Sequence, residues 1–335
     1  MDITLCIPTR NRPEFILRVL LYYQSMNFHG KISIGDSSDV AVAKRIKDSL
    51  SQFANSLEIS YRYLPGYNVG QALLYLAEEI NTAYVTSIPD DDFLIPSGIS
   101  KCMDFLNVYP DYVAAHGVGV ILSSFLRSPQ SVEYVSYYPQ PVVSEATAVK
   151  RLNAYLANYT VSMFSVHRTK VWQAMFKNGE DIVDRAFGHE LLQCCLSVIL
   201  GKIKQLDGLY LIRQDHENRH LLPNWFEWIT NEAWYPSYST FRDCLVEAIV
   251  RQDEITLEEA KLVVEKAFAV YLAQCISGNT SSHQWRSIAK QIPGARTIWN
   301  ALEPLRNKYC LSNILRLSSP YYKDFMPIYK IVTQR

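Results

Sequence analysis

Over roughly the first two hundred residues, short β-type runs alternate with apolar positions at helical spacing. That alternation predicts an α/β domain built on a largely parallel sheet. Ile3 to Ile7 reads as a first strand, followed by the turn Pro8-Thr9-Arg10-Asn11-Arg12-Pro13. Pro13 suits the first position of a helix in which Ile16, Leu17, Leu20 and Leu21 share a face. Lys31 to Ile34 predicts a second strand ending at Gly35-Asp36-Ser37-Ser38, and Ile59 to Leu64 a third ending at Pro65-Gly66. Val69 to Ile80 reads as a helix, and Tyr84 to Ile88 as a fourth strand running into Pro89-Asp90-Asp91-Asp92. Further strands are expected near Tyr112 to Leu122, Val132 to Tyr138 and Val161 to His167, and again from Gly201 to His216.

Beyond about residue 220 the pattern changes. Thr256-Leu257-Glu258-Glu259 is a capping box, and Val263, Ala267, Val270 and Tyr271 follow at helical spacing. The reading is an α/β domain over residues 1–222 and a mainly helical region over 223–335, divided near Pro223.

Composition narrows the class. Lys plus Arg and Asp plus Glu are 33 each, so the formal net charge is zero. A chain so balanced has no long-range attraction for a nucleic acid, and none is expected as partner. The seven cysteines form no Cys-x-x-Cys pair, so neither a disulfide framework nor a thiolate zinc site is indicated. No basic n-region with an apolar core opens the chain, and the apolar stretch Leu191 to Leu200 is too short to cross a bilayer. A cytoplasmic location is the expectation.

The chemistry gathers at predicted strand ends. In open parallel sheets the carboxyl edge of the strands is where ligands bind. Asp90-Asp91-Asp92 would crowd three carboxylates there. A divalent cation bridging to a diphosphate would compensate them, although a solvated turn with one Asp capping the next helix is the plainer alternative. Asp36 follows the second strand, where a carboxylate can accept from a ribose or a base. Arg10 and Arg12 bring two cations to a helix start, a position suited to phosphate.

Ile7-Pro8-Thr9-Arg10-Asn11-Arg12, Ile34-Gly35-Asp36-Ser37-Ser38 and Ser87-Ile88-Pro89-Asp90-Asp91-Asp92-Phe93-Leu94-Ile95-Pro96 together resemble the signatures of family 2-type nucleotide-sugar glycosyltransferases of the GT-A fold. The resemblance spans about residues 1–220. It implies a GT-A-like, Rossmann-type, mostly parallel sheet with helices on both faces, plus the helical C-terminal region. It also implies an inverting, metal-dependent transferase, using Mg²⁺ or Mn²⁺, that moves a sugar from a nucleoside-diphosphate donor to a glycan or lipid-linked acceptor, as in surface polysaccharide synthesis. Pro8, Thr9 and Asp36 would line the nucleoside pocket, with Arg10, Arg12 and Asp90 beside them. The Asp-x-Asp motif reads in two registers: Asp90 with Asp92, or Asp91 as the metal carboxylate counted back from Pro96. Arg213 and His216 would reach the metal or the diphosphate. Gly66-Tyr67-Asn68-Val69-Gly70-Gln71 departs from the pattern, which often has an Arg after this glycine.

The acceptor's base is expected, on the same resemblance, about a hundred residues beyond the acid motif. Glu190 in Phe187-Gly188-His189-Glu190-Leu191-Leu192 fits, with Asp181 and Asp184 as rivals. A competing reading is zinc hydrolysis, because His216-Glu217-Asn218-Arg219-His220 matches H-E-x-x-H, with Glu227 or Glu232 as third ligand. Pro223 and the preceding strand-like run count against the helix that motif needs. A non-catalytic nucleotide-sugar-binding module is the other alternative. Neither G-x-G-x-x-G after the first strand nor G-x-x-x-x-G-K-[ST] occurs. Trp225, Trp228 and Trp234 suit either an acceptor floor or a packed junction. The segment from Arg296 to Tyr329, mixing basic and aromatic residues, suits peripheral membrane contact, a homo-oligomer interface or an intramolecular one.

Overall fold

The computed structural model of the chain describes residues 1–123, 134–177, 182–216, 223–291 and 311–333. Its strands are β1 (Ile3–Thr9), β2 (Lys31–Asp36), β3 (Glu58–Tyr63), β4 (Tyr84–Ser87), β5 (Phe93–Leu94), β6 (Tyr112–Ser123), β7 (Tyr134–Tyr138), β8 (Val166–Arg168) and β9 (Lys202–Asp215). They form one sheet in the order β3-β2-β1-β4-β8-β6-β9-β5, with β7 paired to β6. The β3-β2-β1-β4 portion is wholly parallel, and β6 runs parallel to β9 over the longest ladder. The short β8 joins the two parts antiparallel to both β4 and β6. Parallel pairing buries both faces of a strand, so β1 is an almost unbroken buried run.

Helices cover both faces. In chain order they are α1 (Pro13–Ser25), α2 (Val40–Ser49), α3 (Val69–Glu78), α4 (Pro96–Val108), α5 (Ala148–Leu156), α6 (Thr169–Phe176), α7 (Leu192–Leu200), α8 (Trp225–Ile229), α9 (Trp234–Asp253), α10 (Leu257–Gln291), α11 (Leu311–Ile314) and α12 (Tyr322–Thr333). One core lies under α1, α2, α4 and α12, where Ile16, Leu20, Ile46, Ile99, Leu106, Phe325 and Ile328 close over Leu5, Ile7 and Ile34 of the sheet. Each such side chain contributes about 1.5–3 kcal/mol by leaving water. The other core joins α3, α5, α6, α7, α9 and α10 through Leu76, Leu152, Trp172, Phe187, Phe241, Val264 and Phe268. Helices α8, α9 and α10 therefore share a core with α5 and α7, whereas α11 and α12 join the core under α1, α2 and α4.

The predicted capping box starts α10: Glu259 accepts from the Thr256 amide at 3.0 Å, and Thr256 Oγ1 accepts from the Glu259 amide at 3.3 Å. Part of the basic and aromatic C-terminal segment lies outside the described residues. Within its described part Ile314, Phe325 and Ile328 are buried, Leu317 is exposed, and Ser97 donates to Asp324 at 3.2 Å. Among the described residues no helix is long and apolar enough to cross a membrane.

Candidate functional site

The strand ends meet as the parallel topology requires. Thr9, the last residue of β1, donates its hydroxyl to Asp90 Oδ2 at 2.7 Å. Arg12 sits at the cap position of α1 and makes no side-chain cap there. Its guanidinium reaches across instead, Nη1 donating to Asp90 Oδ1 at 2.8 Å and to Asp91 Oδ2 at 2.9 Å. The chain can turn back between Thr9 and Arg12 because Asn11 adopts φ 56°, a left-handed conformation that Asn tolerates. Asn11 then locks this loop to the β2 exit, its amide donating to Ser38 Oγ at 2.7 Å and its Oδ1 accepting from the Asp39 amide at 2.9 Å. Pro8 is half-buried, and Arg10 is exposed.

The other side of the site is set by register. The two-residue strand β5 clips antiparallel onto β9, pairing Phe93 with Ile212 and Leu94 with Leu211. Continuing that ladder by one residue brings Arg213 opposite Asp92, and by two brings Gln214 opposite Asp91. Arg213 Nε accordingly donates to Asp92 Oδ2 at 2.8 Å, and the Gln214 amide donates to Asp92 Oδ1 at 2.8 Å. The Gln214 side chain donates to the Asp91 carbonyl. His216 Nε2 lies 3.0 Å from Asp91 Oδ2. Phe15 of α1 forms the floor, stacked on the His216 ring at 4.8 Å with Arg12 and Arg18 over its face.

The three carboxylates are thus compensated from within the chain. Arg12 bridges Asp90 and Asp91, Arg213 pairs with Asp92, and Arg18 adds a third guanidinium in the same field while donating to Gln214 Oε1 at 3.0 Å. A divalent cation, expected above to neutralise the triplet, is not required for that purpose. Burial pushes Asp90 and Asp92 up to about 6, even against Arg12 and Arg213. Burial acts in the same direction on Asp91, but the bonds from His216 and Arg12 outweigh it and hold that carboxyl below its ordinary value.

Between the two registers of the acid motif, the hydrogen bonds discriminate. Both oxygens of Asp90 and both of Asp92 are engaged by protein donors. Asp92 is 1% exposed and ties β9 to the acid turn. Asp91 and His216, which bond to each other at 3.0 Å, are the candidate pair for a divalent ion. A carboxylate with an imidazole is a suitable donor set for Mn²⁺, and Mg²⁺ accepts one or two carboxylates completed by phosphate and water. Among the described residues no cluster of three or more His, Cys, Asp or Glu is set around a metal position.

Glu190 lies in a single wide turn of π-helix, Phe187–Leu191, that runs into α7. Such turns re-aim side chains and recur at functional sites. Its Oε1 accepts from the Tyr159 hydroxyl at 2.9 Å. Burial raises its carboxyl above the ordinary value, opposed by that bond and by the fields of Arg213 and Arg185. Arg213 therefore acts on Asp92 and Glu190 alike. The rival Asp184 caps the turn, accepting from the Phe187 amide at 3.0 Å and from Trp228 Nε1 at 3.0 Å. The other rival, Asp181, lies outside the described residues.

No family model matches the chain, and no curated protein matches it. Among solved structures, S. aureus TarS residues 1–349 in complex with UDP superposes with a TM-score of 0.49 at 14% identity, covering 90% of this chain and 79% of that one. The mannosyltransferase PcManGT from Pyrobaculum calidifontis, in complex with GDP-Man and Mn²⁺, gives 0.40 at 9% identity, covering 99% of this chain and 86% of that one.

The remaining expected residues are placed as follows. Asp36 is fully buried, accepting from the Ser38 amide at 2.8 Å and the Tyr61 hydroxyl at 2.7 Å, so it braces the β2 exit against β3. Where the motif resemblance expects an Arg, Asn68 and Gln71 are joined in the capping box of α3. His216 follows directly on β9 and turns to Asp91, whereas Glu217 and His220 lie outside the described residues. Glu227 and Glu232 are exposed. Trp228 is buried and Trp234 half-buried, both packed on Phe187 at 5.0 and 5.6 Å, so these two form a junction behind the Glu190 turn. Sequence reasoning missed Phe15, Arg18, Tyr159 and Tyr138, whose hydroxyl accepts from Arg213 Nη1 at 3.1 Å. An Arg one and a half turns into an otherwise apolar helix face was the available signal for Arg18.

Proposed function

We propose that the chain is a nucleotide-sugar glycosyltransferase, with Glu190 as the base and the acid turn as the diphosphate site. The observation that carries this reading is Arg213. It is bonded to Asp92 and lies in the electrostatic neighbourhood of Glu190, which joins a phosphate-type strand edge to a buried carboxylate of raised proton affinity. Raised proton affinity is what a general base near neutral pH requires.

In this reading an acceptor hydroxyl attacks the anomeric carbon of the donor. The bond from that carbon to the diphosphate oxygen breaks, the nucleoside diphosphate leaves with the electron pair, and Glu190 takes the hydroxyl proton. Arg12, Arg18 and Arg213, which balance the carboxylates of the acid turn, would supply the guanidinium donors that meet the leaving group's charge. Asp91 and His216 would hold Mg²⁺ or Mn²⁺, which supplies further neutralisation of the diphosphate when bound. The acceptor would be a glycan or a lipid-linked saccharide, and α9 and α10 would bury the base from behind.

Thermal unfolding against UDP, GDP and other nucleotides, with and without Mn²⁺, tests the donor site. A nucleotide at a hundred times its Kd adds about 2.7 kcal/mol, a readable rise in midpoint. The expected result is a Mn²⁺-dependent rise with one nucleotide, lost in Asp91→Asn. No rise with any nucleotide would overturn the reading. Retained binding with no transfer, and no effect of Glu190→Gln on any product, would make the chain a binding module.

A further inference from the structure

We propose that Tyr159 is the positioning residue for Glu190, and that α10 takes part in the site by clamping Tyr159. This rests on the reading of Glu190 as the base. Tyr159 lies just past the end of α5 and donates to Glu190 Oε1 at 2.9 Å. Its ring is held edge-on between Tyr155 at 5.4 Å and Tyr271 of α10 at 5.2 Å. Tyr155 is itself fixed by donating its hydroxyl to the Thr160 carbonyl at 2.5 Å. A second tie from α10 reaches the same loop, where the Gln274 side chain donates to the Ala157 carbonyl. The phenol thus has little freedom to leave the carboxylate.

The consequence for a base is geometric and electrostatic. Holding Oε1 by a fixed donor stops the carboxylate rotating, so its other oxygen keeps one direction toward the acceptor proton. The groups facing Glu190 are Tyr159, Arg213 of β9, Arg185 before the π-turn, Cys194 of α7, Tyr138 of β7 and Tyr271 of α10. Burial raises the carboxyl, and the Tyr159 bond is the foremost of the influences that lower it. Removing the phenol oxygen leaves the two Arg fields in place and takes away the hydrogen bond that Tyr159 donates to Oε1.

The test uses the full chain labelled with carboxyl-¹³C glutamate, the Glu190 signal being the one absent from Glu190→Gln. In Tyr159→Phe its titration midpoint should rise by about one pH unit, a tenfold gain in proton affinity. The acid limb of kcat/KM, followed by nucleoside diphosphate release, should move up by the same amount, while UDP or GDP affinity stays unchanged. A rate lowered evenly at every pH, with an unmoved midpoint, would overturn the proposal. Tyr271→Leu keeps the Tyr159 hydroxyl but loosens the Tyr159 ring, and a smaller upward move is expected; no move would remove α10 from the proposal. Should Tyr159→Phe not fold, the wild-type Tyr159 ζ-carbon signal should titrate with the Glu190 midpoint, and a signal blind to it would overturn the bond. If Glu190→Gln leaves transfer intact, the base assignment fails, while the NMR titration still judges the bond by itself.

Discussion

Replacing Arg213 by Met removes the charge that Asp92 leans on and should produce a loss of stability that grows with pH. The two groups touch at 2.8 Å, and Asp92 is 1% exposed. With charge centres about 4 Å apart and an effective dielectric near 20, the pair is worth about 4 kcal/mol, or about three pH units in the proton affinity of Asp92. Asp92 already stands at about 6 through burial, so the variant's carboxyl should titrate near ~9. A carboxyl whose folded value exceeds its ordinary 3.8 lends stability at low pH and loses it as pH rises through the folded value. In the wild type that loss ends near 6; in the variant it runs on to ~9. The difference in unfolding free energy should therefore be small at pH 6, grow by roughly 1 kcal/mol for each pH unit through pH 7 and 8, and level off at about 4 kcal/mol. A further pH-independent cost of about 0.5–2 kcal/mol comes from the guanidinium's place over Tyr138 and Phe164, at 5.0 and 4.9 Å. Urea unfolding at each pH measures the series, and adding Asp92→Asn to Arg213→Met should remove most of the slope, leaving the share that comes through Arg213's field on Glu190. A destabilisation that is flat from pH 6 to 9 would refute the reasoning.

Burial depresses His167 to about 4, so it stays neutral in the fold while the unfolded chain takes up a proton below pH 6.5. Stability is then lost as pH falls from 6.5 toward 4, by about 3 kcal/mol in full, and His167→Gln should remove that share of the acid limb in urea unfolding at pH 7 and 4.5, buried His116 and half-buried His189 keeping theirs. Gly70→Ala would put a Cβ 2.4 Å from Cδ2 and 3.0 Å from Cγ of His189, the residue beside Glu190. It should cost about 1–3 kcal/mol in thermal unfolding and lower the transfer rate by displacing the base's turn.

Much of the framework was legible in the chain itself. Strands β1 to β4 and β6 lie within two residues of their expected bounds, because a run such as Ile3 to Ile7, apolar on both faces, has few other solutions than a buried strand. Pro13, the Asn11 turn and the Thr256 capping box act through local backbone geometry, which sequence encodes directly. The gathering of Thr9, Arg12, Asp36 and Asp90 at one edge follows once those strands are parallel, since parallel strands deliver their ends to the same side. The neutralisation of the acid turn was not legible. Arg213 meets Asp92 only because two residues of β5 clip onto β9 in one register, and the partners lie 121 residues apart. Glu190 acquires its donor because α5, α7 and α10 share one core, bringing Tyr159 and Tyr271 behind the π-turn. Pairings of that range are chosen by packing the two faces of the sheet, where many weak contacts act together and no short motif records the outcome.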